Sequence, residues 1–141
     1  MATTSGYEFF EHTADTGIRA SGRTLGELFA NMARGLTELL VENSEIPPET
    51  TRSIELQADD AEMLLLAWLQ ELLFWFATER FAAIEYQIDQ VTPTALRGEV
   101  RGGRFDPARH TPGREVKAIT RHELRVVQGA DGWTAEVIVD I

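Results

Sequence analysis

Residues 7–29 read YEFFEHTADTGIRASGRTLGELF, and their pattern sets the fold class. Two short β-favouring runs, 7–10 and 17–21, flank a polar loop that carries His12 and Asp15, which predicts two short strands. The period then changes. Thr24 followed by Glu27 matches a capping box. Leu25, Leu28, Phe29, Met32, Leu36, Leu39 and Leu40 recur at helical spacing, predicting a helix over 24–41 with one buried stripe. Gly35 weakens that helix slightly.

Working outward, residues 42–50 contain Pro47 and Pro48 and read as a loop. A strand follows over 52–58. A second helix is predicted over 59–79, with Asp59 as its cap and Glu62 three residues on. This helix is apolar on most sides, which predicts central burial, with an aromatic remainder able to dock a partner. After residue 81 the pattern becomes strands. Residues 82–91 alternate, with Ile84, Tyr86 and Ile88 on one face. A turn at Pro93 leads into 94–102, then a loop over 103–114. Residues 115–127 alternate as one strand, with Val116, Ala118, Thr120, His122, Leu124 and Val126 on one face. Asp131-Gly132 marks a hairpin turn, and 133–141 is the last strand. This order predicts a single α+β domain over 1–141, with residues 1–6 flexible and two main helices packed on a mostly antiparallel sheet.

The chain has 141 residues, 43% hydrophobic and 26% charged, an ordinary globular mix. No uninterrupted run approaches the roughly 18 apolar residues of a membrane span, and no signal peptide is evident. Cysteine is absent, which excludes disulfides, thiolate zinc sites and a cysteine nucleophile. A cytoplasmic location and no membrane partner are expected. The net charge is −10, unlike that of a protein gripping bare nucleic acid over its whole surface. Residues 97–125 nevertheless hold eight Lys/Arg against four acids. That segment is either a solvated strand surface or a partner-facing patch.

No dinucleotide, Walker A, nucleophile-elbow or H-E-x-x-H pattern occurs. "RGGR" at 101–104 reads as a bend in a hairpin. His122 reads as a hydrogen-bonded core histidine and His110 as a solvated loop residue. The tail AEVIVDI puts Ala135, Val137, Val139 and Ile141 on the core face and turns Asp140 the other way. An ordered tail would set Asp140 beside the α-carboxylate of Ile141, and Asp15 would add a third anion. Three such anions repel unless a cation lies between them, and hard oxygen donors without sulfur favour Ca²⁺ or Mg²⁺. On the residues alone, Asp15 could equally cap a turn before Gly17, and Asp140 could be a solvated end.

Four motifs, in order, resemble one family. H-T-A-D-T-G-I and its following helix are similar to the archease N-terminal pattern. W-L-Q-E-L-L with its trailing Glu79 resembles the family's central segment. D-P-A-R-H…E-V-K-A-I-T-R-H-E-L-R-V and the closing V-I-V-D-I resemble its later stretches. The likeness runs from about Tyr7 to Ile141. It implies a metal-binding, non-enzymatic activator of an RtcB-type RNA ligase in tRNA splicing or RNA repair. Such a protein promotes guanylylation of a ligase histidine and multiple turnover, and can broaden nucleotide use. RNA would be engaged through the ligase. The resemblance also implies a divalent cation, most simply Ca²⁺ with Mg²⁺ or Mn²⁺ as alternatives, held by Asp15, Asp140 and oxygens of Ile141. His12 matches the motif and either orients Asp15 through a hydrogen bond or shapes the loop. Thr16 stands where an aliphatic residue is frequent, and Arg121 where an aromatic is. Two other readings remain. One is an RNA-binding or chaperone-like module using the basic 97–125 segment. The other is a metal-dependent hydrolase on Asp15 and Asp140, which would lack a general base beyond His12.

Overall fold

The computed structural model describes residues 5–12, 15–42 and 45–141. Strands β1 (Gly6–His12) and β2 (Asp15–Gly22) pair antiparallel. Helix α1 (Leu25–Leu40) follows, capped as its sequence predicts: the Glu27 N–H donates to Thr24 Oγ1 at 3.1 Å. After β3 (Val41–Glu42) and β4 (Thr50–Gln57) comes α2 (Ala61–Glu79). Its cap is Asp60 rather than Asp59, the carboxylate accepting from the Met63 N–H at 2.8 Å. Glu62 instead reaches β9 (Arg125–Gly129), accepting from the Val126 N–H at 3.0 Å. The remaining strands are β5 (Phe81–Thr92), β6 (Ala95–Arg104), β7 (Thr111–Pro112), β8 (Ala118–Ile119) and β10 (Gly132–Asp140).

The strands form two main antiparallel sheets. The larger runs β1-β2-β10, with β8 and β9 both paired to the far side of β10; the smaller runs β4-β6-β5, and β3 and β7 make a short clip. Both helices pack between these sheets, as the alternating and 3.6-residue patterns require. Trp68 is the largest fully buried side chain; its indole N–H donates to the Phe29 carbonyl of α1 at 3.0 Å, joining the helices through the core. α2 is long and apolar enough to cross a membrane, with a mean hydropathy of 1.3. Its side chains Leu64, Leu65, Leu66, Trp68, Leu69, Leu72, Leu73 and Trp75 are buried in the protein, so core packing accounts for its composition. Phe74 alone among its aromatics is largely exposed.

Several expectations for the later strands are corrected. Residues 115–127 are not one strand. Between the Ile119–Val139 and Arg125–Glu136 pairs, five residues (120–124) face only two on β10, Val137 and Ile138. The surplus loops outward through a turn in which the Leu124 N–H donates to the Arg121 carbonyl at 3.2 Å and Glu123 takes φ 55°. His122 therefore lies on this turn and is exposed, not in the core. "RGGR" is no bend either, since Arg101–Arg104 lies within β6. A Cβ at Gly102 would come 2.0 Å from the Ala82 carbonyl oxygen, and one at Gly103 would come 2.3 Å from that of Pro47. The glycines let backbones approach closely.

Candidate functional site

The site expected from sequence gathers at one end of the larger sheet. β2 pairs β1 with His12 opposite Asp15, and pairs β10 with Thr16 opposite Val139. One further step of that register brings Asp140 abreast of Asp15. Adjacent strands lie about 4.8 Å apart, so the two carboxylates rise from neighbouring backbones. Directly paired residues share a face, and Asp15 and Asp140 share theirs with the Arg19–Glu136 pair, away from the helices. That outer face has its own ladder. Arg19 donates to Glu136 at 2.8 Å and to Glu8 at 2.7 Å, and its guanidinium lies 4.7 Å from the Phe10 ring centroid. These two carboxylates raise the Arg19 pKa, the Glu8 hydrogen bond most.

The inner face at the same end is built differently. The N–H groups of Gly113 and Arg114 donate to the Leu40 and Leu39 carbonyls at 2.9 and 2.7 Å, closing the end of α1. This fixes Arg114, whose guanidinium donates to the hydroxyl of buried Thr16. The polar residue at position 16 thus has a dedicated donor. Phe9, Phe10, Glu11, Asp15, Arg114 and Ile141 with Thr16 enclose a cleft of about 590 Å³ at this tip. The Lys117 N–H holds the Asp140 carbonyl at 2.7 Å, so β10 stays pinned up to its last residue.

Asp15, Asp140 and Ile141 are thus brought to one place, each half-buried. The backbone of His12 is opposite Asp15; the role expected of its imidazole lies outside the described residues. Among the described residues no three His, Cys, Asp or Glu side chains converge on a common point. An ion here would therefore need oxygens of Ile141 besides the two carboxylates. That donor set, all oxygen and carrying at least two negative charges, fits a hard divalent cation rather than zinc or copper.

Arg114 and the two phenylalanines of the cleft were not legible as neighbours of Asp15. Arg114 belongs to an aperiodic loop whose only sequence signal is charge. The basic segment as a whole is dispersed. Arg97, Arg101 and Arg104 lie on β6 in the smaller sheet, where Arg101 pairs with Glu85 at 3.0 Å. Arg125 lies on β9 opposite Glu136 in the larger sheet. His110 is not simply solvated: it is half-buried, its Nδ1 accepts from the Asp106 N–H at 2.9 Å, and its ring lies 5.8 Å from that of Phe105.

Fold and site together define the class: a small α+β domain whose larger sheet ends in two carboxylates drawn from opposite ends of the chain. Residues 7–141 match the model of the Archease protein family (MTH1598/TM1083). The chain is 39% identical over 139 residues to the protein archease of Pyrococcus furiosus and 37% identical over 137 residues to that of Sulfurisphaera tokodaii, covering 96% of this chain and 98% of each relative. The solution structure of Methanobacterium thermoautotrophicum protein 1598 superimposes with a TM-score of 0.80 at 33% identity, covering 96% of this chain and 99% of that one. A Thermotoga maritima crystal structure, described as an archease and possible chaperone, shares the fold at a TM-score of 0.62 and 20% identity, over 94% of each chain. The chain belongs to the archease family.

Proposed function

We propose that this protein is a non-enzymatic, metal-binding activator of an RtcB-type RNA ligase in tRNA splicing or RNA repair, working in the cytoplasm. Asp15, Asp140 and Ile141 hold one divalent cation, most simply Ca²⁺. The ion places positive charge at the tip, where metal or nucleotide must be positioned for guanylylation of the ligase histidine. The chain's own contribution is to hold the tip rigid. Arg114 and Thr16 tie β2 to the end of α1, and the Lys117 N–H fixes the Asp140 backbone. RNA is met through the ligase.

The observation that carries this reading is the abreast placement of Asp15 and Asp140 at the sheet's open end, in a chain of the archease family. An RNA-binding module built on residues 97–125 has less support, because those cations divide between two sheets and the loops that join them. A metal-dependent hydrolase has none beyond the carboxylates themselves. The test is single-turnover guanylylation of purified RtcB-type ligase, measured with and without this protein at limiting GTP. A faster approach to the GMP adduct in its presence supports the proposal. An unchanged rate, together with salt-sensitive RNA binding in the ligase's absence, supports the RNA-binding alternative.

A further inference from the structure

The tip leaves a second feature unused. Among the described strands, β1 pairs only with β2 and forms the free edge of the larger sheet. In an antiparallel pair alternate residues turn their N–H and C=O groups outward, so this edge presents a row of backbone donors and acceptors. Edge strands are usually blunted by proline, lysine, bulges or shortness. β1 has none of these: GYEFFEH keeps one register over seven residues. β5, an edge of the smaller sheet, has two register breaks.

We propose that the β1 edge is a docking strand for an extended, basic segment of a partner protein, which adds to the sheet as a further strand. Tyr7 and Phe9 point to the same face and are 37% and 42% exposed, with ring centroids 5.9 Å apart. Recesses flank them. One cleft of about 560 Å³ joins Tyr7 to Glu38 and Glu45 on the α1 side, and the tip cleft of about 590 Å³ joins Phe9 to Glu11. Alternate side chains of an added strand would enter these recesses while its backbone pairs with β1. Carboxylates Glu8, Glu11, Glu38 and Glu45 lie along the edge against three arginines, Arg19 paired with Glu8, Arg34 in the first recess and Arg114 in the second. The balance stays acidic, so the complementary segment carries Lys or Arg. A second copy of this chain is the alternative occupant and an outcome of the test: full antiparallel overlap of two β1 strands sets Glu8 opposite Phe10 and Glu11 opposite Tyr7, while the acidic excess of the edge favours a basic segment over it. Nucleic acid is disfavoured for the same electrostatic reason.

The proposal goes beyond the metal-dependent reading and is tested without it, in excess chelator. The probe is an alternating lysine–valine peptide of β1's length, with an alternating glutamate–valine peptide as control, added to the full chain. Amide hydrogen exchange is expected to slow across residues 6–12 with the lysine peptide only, and the protection is lost as salt is raised. Glu11→Lys is expected to weaken binding about tenfold at low salt, with Glu11→Gln intermediate and both variants unfolding thermally like the parent. Protection elsewhere, equal protection by both peptides, or no protection of β1 overturns the proposal. Concentration-dependent self-association that protects β1 without peptide overturns it in favour of a second copy.

Discussion

Asp15 and Asp140 stand abreast on neighbouring strands of one sheet, although they come from the second and the last strands of the chain. Without a cation, two like charges side by side in a sheet oppose folding, by up to about 1 kcal/mol. Asp15→Asn and Asp140→Asn are therefore expected to leave stability in chelator unchanged or slightly raised. Both should lower Ca²⁺ affinity by at least about tenfold, since ion affinity follows ligand charge. Calorimetric titration with Ca²⁺ beside thermal melts in chelator checks both halves. Variants that melt early in chelator would show a structural rather than a ligand role.

The Arg114–Thr16 contact yields a second prediction. The Thr16 side chain is buried, so removing its donor strands a hydroxyl. Arg114→Ala is expected to cost about 1–2 kcal/mol in denaturant unfolding. Thr16→Val removes the need for a partner, so the double variant should be less destabilised than the sum of the single ones. A double-mutant cycle reads the coupling.

The chain has two tyrosines, and both are held high. Burial first, and then the hydrogen bond from its hydroxyl to Glu38, raises Tyr7 from 10.0 to about 12. Burial of a hydroxyl that donates to the Ala83 carbonyl at 2.9 Å raises Tyr86 to about 12 as well. The residue as a whole is only half-buried, but its hydroxyl end lies inside. The folded state thus keeps protons that the unfolded state releases near pH 10. The resulting stability is fully present below pH 10 and lost as pH rises toward 12. Native protein should show almost no phenolate absorbance near pH 10.5 (about half a unit above the ordinary value), while denaturant-unfolded protein is mostly ionised there. Phenolate in the native protein at that pH would contradict the described packing of both side chains.

Glu123 provides a test of the interrupted strand. At φ 55° it occupies a left-handed conformation that costs an ordinary side chain energy. Glu123→Gly is expected to stabilise the protein by up to about 1 kcal/mol, relief of the left-handed strain outweighing the glycine's added freedom in the unfolded chain. A continuous strand at this position would instead make the same substitution destabilising. Chemical denaturation distinguishes the two signs.

The fold was legible where one period ran undisturbed. Thr24 and Glu27 announced α1, the apolar surplus of α2 announced a central helix, and Asp131-Gly132 announced the last hairpin. What stayed hidden has physical causes. Asp59 and Asp60 are both good caps, and only the backbone decides that Asp60 is the one used. The outward turn at 120–124 carries neither glycine nor proline, so nothing interrupts its alternating pattern, and that pattern by itself puts His122 on the inward face. The candidate site was half legible. Residue types and the ordered tail singled out Asp15, Asp140 and Ile141 weakly, and the family resemblance strengthened them. Only strand register shows that Asp140 comes abreast of Asp15. Arg114 could not be placed because a loop residue's position depends on what its backbone caps, here the Leu39 carbonyl.

The most direct test of the account is a multiple-turnover RNA ligation assay at limiting RtcB-type ligase, comparing the parent chain with Asp15→Ala and Asp140→Ala. The account predicts many ligations per ligase with the parent chain and none beyond the ligase-alone level with either variant, both remaining folded by circular dichroism. Full stimulation by both variants would contradict it.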